Sequence, residues 1–132
     1  MKRFLVCLII TLTLCGCAHK DLKEVASESK CQITDISEQY SKTFSIKSAQ
    51  ILSKNNVSVE ICEFKKSKDL KEYLALAKKN LRFKECDGIQ KCKVGKKIYL
   101  VQSKGLVTIY ANTSKEKESS TKRLMNEALK SF

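Results

Sequence analysis

The densest apolar run lies near the start of the chain: Phe4 to Leu14 is eleven residues long and is relieved only by Thr11 and Thr13. As a helix it measures about 16 Å at ~1.5 Å per residue, against a hydrocarbon core of about 30 Å. Residues 18–30 are polar, with Leu22 and Val25 as their larger apolar members, and predict a tether, partly helical in places. Ile33, Ile36 and Tyr40 then recur at helical spacing and predict a short helix over 31–41.

Beyond residue 41 the pattern repeats. Phe44 to Leu52 reads as a strand, Asn55-Asn56 as a turn, and Val57, Val59 and Ile61 as one face of a second strand ending near Phe64. Asp69 and Glu72 have capping-box spacing ahead of a helix whose apolar stripe is Leu70, Tyr73, Leu74, Ala77 and Leu81. After a cysteine-containing loop over 82–96, Lys97 to Gln102 and Leu106 to Ala111 form two more strands around a Ser103-Lys104-Gly105 turn. Thr113 and Glu116 repeat the capping spacing, and Leu124, Met125, Ala128, Leu129 and Phe132 form a final helical stripe. The order predicts an α+β fold: a short N-terminal helix, then a ββα-ββα pseudo-repeat whose four-stranded antiparallel sheet carries its helices on one face.

The early apolar run follows Met1, Lys2 and Arg3 and ends in Leu14-Cys15-Gly16-Cys17. A basic start, a short apolar region and small residues behind it have the form of a secretory signal. The last four residues resemble the lipobox of bacterial lipoproteins: Leu, a small residue, Gly or Ala, then Cys. That resemblance implies cleavage before Cys17 and acylation, by diacylglycerol and further acyl chains such as palmitate, on Cys17. Two or more chains hold a protein stably on a membrane that no helix crosses. The expected division is a signal peptide over 1–16, a lipidated tether over 17–30 and a single α+β domain over 31–132.

Charge narrows the choice of partners. The formal balance is +12, and loss of the signal removes two cations and no acid, leaving +10. This favours anionic neighbours such as acidic headgroups or cell-envelope polymers. Only Arg3, Arg82 and Arg123 are arginine, and the remaining 23 cations are lysines scattered along the chain, a composition that AT-rich coding alone yields. Arginine forks and interleaved aromatics for reading nucleic acid are lacking. The densest basic stretch is Lys78, Lys79, Arg82, Lys84, Lys91, Lys93, Lys96 and Lys97, set against Glu85 and Asp87. It is the candidate docking surface.

Cys7, Cys15 and Cys17 belong to the signal and anchor, which leaves Cys31, Cys62, Cys86 and Cys92. An even number in an exported chain predicts disulfides. Of the three connectivities, Cys86–Cys92 with Cys31–Cys62 is favoured, because the first pair brackets Asp87-Gly88. A redox site prefers Cys-x-x-Cys, and zinc prefers two close pairs or added histidines. The one histidine, His19, lies in the tether, so no metal and no cofactor beyond the covalent lipid are expected.

Catalytic signatures are equally sparse. No nucleophile elbow, Gly-rich phosphate loop or calcium loop is present. Glu60, Glu63, Glu72 and Glu85 carry no distinctive motif and read as solvated charges. The sequence therefore predicts a small non-enzymatic envelope lipoprotein with a binding or scaffolding domain. Its expected partners are the membrane through the lipid and an envelope protein or anionic polymer, with neither nucleic acid nor a small-molecule substrate. Paired cysteines favour an oxidising periplasm, and Ala18 after Cys17, in place of Asp, fits sorting to the outer membrane, with the outer face of a cytoplasmic membrane as the alternative. Two rival classes are an inhibitor or immunity module against an envelope enzyme or toxin, and an enzyme.

Overall fold

The computed structural model describes residues 21–132. The expected signal peptide, Cys17 and His19 lie outside the described residues. The fold runs α1 (Leu22–Glu28), β1 (Gln32–Asp35), α2 (Ser37–Ser41), β2 (Ile46–Lys54), β3 (Val57–Phe64), α3 (Ser67–Ala77), β4 (Lys84–Cys86), β5 (Ile89–Val94), β6 (Lys97–Lys104), β7 (Val107–Ser114) and α4 (Glu118–Leu129). All seven strands join one antiparallel sheet in the order β1-β2-β3-β7-β6-β5-β4.

This corrects the four-stranded ββα-ββα expectation. The four predicted strands do exist, as β2, β3, β6 and β7, and they occupy the centre of the sheet. The sheet extends past them on both sides because segments expected as helix and loop pair as strands. Gln32–Asp35 zips onto Ser53–Gln50 of β2, and the backbone N–H of Ile36 still donates to Ala49 O at 2.8 Å. The helical spacing of Ile33, Ile36 and Tyr40 does not describe one helix face, since Ile33 packs into one core and Ile36 and Tyr40 into another. What remains helical is the five-residue α2. The 82–96 loop is the hairpin β4–β5, turned through Asp87 and Gly88 at φ +54° and +80°, the positive-φ pair that two-residue hairpins favour. Asn55 and Asn56, at φ +50° and +62°, make the same kind of turn between β2 and β3.

The helices also cover both faces rather than one. Val57, Val59 and Ile61 of β3 join Ile98, Leu100 and Ile109 in a core closed by α1 and α4 through Leu22, Ala26, Leu124, Met125 and Ala128. The alternate residues Cys62 and Phe64 point the other way, into a second core with Ile36, Phe44, Leu70 and Tyr73 from the α2 and α3 side. Strand residues alternate between faces, so β3 serves both cores at once. Residues 22–28, expected as tether, belong to the folded unit: Leu22, Val25 and Ala26 are buried, and Asp21 caps their helix by accepting from Lys23 N at 3.3 Å.

Neither capping-box reading marks a helix start. The carboxylate of Asp69 accepts from the backbone N–H of Ser45 at 3.3 Å, and α3 already begins at Ser67. Thr113 lies inside β7 and hydrogen-bonds Thr121 of α4, Oγ1 to Oγ1, at 2.8 Å.

Candidate functional site

The expected sites are dispersed. Cys86 pairs in register with Ile89 and shares its face of the sheet, whereas Cys92 lies three residues further along β5 and faces the other way. Three residues of strand span roughly 10 Å, beyond the Cα separation a disulfide tolerates. Cys31 packs against the α1/α4 core and Cys62 lies in the other core, with β2 between their strands. Neither expected pair is brought together, and all four thiols are free. Cys62 and Cys92 are buried, Cys31 is half-buried and Cys86 is exposed. Burial, with the charge of Glu60 second, pushes the Cys62 thiol up to about 12.

The expected basic surface is likewise divided. Lys91 points to the α4 face, where its Nζ contacts both carboxylate oxygens of Glu118 at 2.9 Å. Lys78 serves the opposite face, donating to Gln90 Oε1 and standing 5.6 Å over the Phe83 ring. Lys79, Arg82, Lys84, Lys93, Lys96 and Lys97 are exposed. The stretch is thus a β-hairpin with cations on both of its sides, rather than a stapled loop.

What the fold does gather is aromatic. All four tyrosines of the chain, together with Phe44 and Phe64, lie on the α3 side of the sheet. Phe44 meets Phe64 and Tyr73 edge-on at 6.0 Å between ring centroids, and Tyr73 meets Phe64 at 5.3 Å and Tyr40 at 6.0 Å. Across the sheet one row runs Ile51, Glu60, Tyr110, Val101 and Gln90. Between that row and the helices lies an open groove of about 290 Å³, walled by Tyr40, Phe44, Tyr73, Leu76, Ala77 and Tyr110, with Glu60 as the one carboxyl side chain in its lining. Leu76 stands 61% exposed at its rim.

Glu60 sets the electrostatics of this groove. The Tyr40 hydroxyl donates to Glu60 Oε1, and Glu60 has no cationic partner among the ion pairs of the described residues. Tyr40 and Tyr73 are pushed well above the ordinary phenol range, chiefly by burial. The hydrogen bond to Glu60 adds to the rise at Tyr40, and the charges of Cys62 and then Glu60 add to it at Tyr73. Tyr110 is raised by burial and then by Tyr99 and Glu60. The hydroxyls therefore stay protonated, and the walls offer ring faces and donors around one carboxylate.

Glu60 was expected to be a solvated charge, together with Glu63, Glu72 and Glu85. Glu72 and Glu85 are exposed, and Glu63 stands 3.9 Å from Lys47, but Glu60 is half-buried on a central strand. The alternation of Val57, Val59 and Ile61 carried the signal. It puts Glu60 on the same face as Cys62 and Phe64, a face apolar enough to be covered. A second hollow, of about 280 Å³, lies between the β2–β3 turn and α4, and its rim mixes Lys54, Lys117 and Arg123 with Glu116 and Glu127.

No family model matches this chain, and no curated protein or solved structure shows significant similarity to it. Among the described residues no helix is long and apolar enough to cross a membrane, and no group of three or more metal-ligating side chains occurs.

Proposed function

We propose that this chain is a small lipid-anchored envelope protein whose domain binds or scaffolds another envelope component through the tyrosine groove. The anchor rests on the Leu14-Cys15-Gly16-Cys17 box behind a short apolar run. The groove carries the binding half of the reading. Aromatic walls around a concave surface, with an exposed aliphatic residue at the lip, are the composition that concentrates contact energy at protein interfaces. Only Ala18, His19 and Lys20 separate Cys17 from the capping Asp21. Four residues of extended chain reach about 14 Å at most. The domain would therefore stay within a short distance of the bilayer, where even a weak contact gains from high local concentration.

The test is photo-crosslinking in cells, with a benzophenone amino acid in place of Leu76 or, as control, of Val94, which is 48% exposed away from the groove. A discrete adduct from position 76, absent from position 94 and diminished by Cys17→Ser, is the expected result. Equal adducts from both positions, or none from position 76, would contradict the reading.

A further inference from the structure

The groove joins a carboxylate that has no cationic partner among the described residues to a set of aromatic rings. The protein carries 26 cations against 14 acids, and three of its five half-buried acids, Glu63, Glu118 and Glu127, have a lysine in contact. Of the other two, Asp69 accepts from the backbone N–H of Ser45, and Glu60, on a central strand, has Tyr40, Tyr73 and Tyr110 as neighbours rather than cations. A carboxylate taken partly out of water is costly without a partner, and the Tyr40 hydroxyl engages one of its two oxygens. The rings around it present electron-rich faces that attract cations and add to the carboxylate's pull.

We propose that the groove receives a lysine side chain from a partner protein, with the ammonium at Glu60 and the aliphatic stem along Phe44, Leu76 and Ala77. This inference deepens the binding role proposed for the groove and rests on it. The shape favours this occupant: the lining is apolar apart from Glu60 and the tyrosine hydroxyls, which suits a long methylene stem ending in one charge. An ethanolamine headgroup places a phosphate two carbons from its ammonium, where the groove offers Leu76 and rings. The site is locally negative on a molecule that is positive overall, so a partner presenting one lysine on an otherwise acidic surface satisfies both fields.

The chain has no tryptophan, and its four tyrosines all lie in or beside the groove, so tyrosine emission of the full chain reports occupancy directly. Titration with N-acetyl-lysine methylamide, its norleucine counterpart and phosphoethanolamine separates the alternatives. The expected result is saturable binding of the lysine amide, about tenfold or more tighter than norleucine, with the preference abolished in Glu60→Gln. On the wild-type chain alone, added salt is expected to weaken the lysine amide and spare norleucine. This arm holds even if Glu60→Gln fails to fold. Equal affinity for lysine and norleucine would overturn the inference and leave an apolar binding groove standing. Preference for phosphoethanolamine would overturn it in favour of a lipid headgroup. No saturable response to any probe would overturn it too, with the Leu76 crosslink still deciding whether the groove binds anything.

Discussion

Thr108 shows how narrowly the centre of the sheet is specified. It is fully buried on β7, opposite Cys62 of β3, and its hydroxyl has no hydrogen-bond partner. A buried hydroxyl without a partner costs on the order of 1–3 kcal/mol. Thr108→Val keeps the shape and the β-branching while removing the orphan, so it is expected to stabilise the domain by about 1 kcal/mol. Denaturant melts of the two proteins check this, and a destabilised variant would mean that the hydroxyl is satisfied. Sequence pattern exposes little at this scale. Thr108 and Glu60 look like ordinary polar strand residues until the sheet has two covered faces. Their burial depends on α3 and α2 lying over them, and no local spacing encodes that.

At the scale of elements, the hydrophobic alternation of β2, β3, β6 and β7 was readable because each strand carries its own period-two signal. The outer strands were not, for distinct reasons. β1 is four residues with Ile33 its one large apolar side chain, and β4 is three exposed residues, so pairing with a neighbour, rather than intrinsic pattern, makes them strands. α1 was hidden in the opposite sense. Its seven residues are mostly polar, and its burial rests on Leu22, Val25 and Ala26. Leu22→Ala is expected to cost about 2–3 kcal/mol, whereas the same change in a solvated tether falls within about 0.5 kcal/mol. Thermal melting distinguishes the two. The start of α4 makes a second prediction. Hydrogen bonds from Lys122 and then Lys91 hold the Glu118 carboxyl below the usual carboxylate range, and the helix N-terminus adds to the effect. A depressed folded pKa contributes stability that is complete above the ordinary glutamate value of about 4.3 and is lost as pH falls through the lower folded value. Glu118→Gln is therefore expected to lose about 1 kcal/mol at pH 7, with the deficit shrinking below pH about 4. A deficit independent of pH would assign the loss to packing instead.

For the whole molecule, the two-sided sheet changes what the proposed anchor and the cysteines mean. A domain that begins at α1 leaves a link of three residues, so the proposed lipid would hold it close to the bilayer rather than on a long leash. Four thiols kept apart by sheet register and by two separate cores leave no staple among the described residues, and cohesion there falls to the cores themselves. The expectation of an oxidising periplasm loses its cysteine argument with them, while the lipobox argument stands unaltered. The most direct test of the account is the intact mass of the membrane-extracted protein, taken after thiol labelling in denaturant without reductant. The expected mass is that of a chain beginning at Cys17 and bearing acyl groups, with labels on Cys31, Cys62, Cys86 and Cys92. An unacylated chain that still begins at Met1, or a mass showing labels only after reduction, would contradict it.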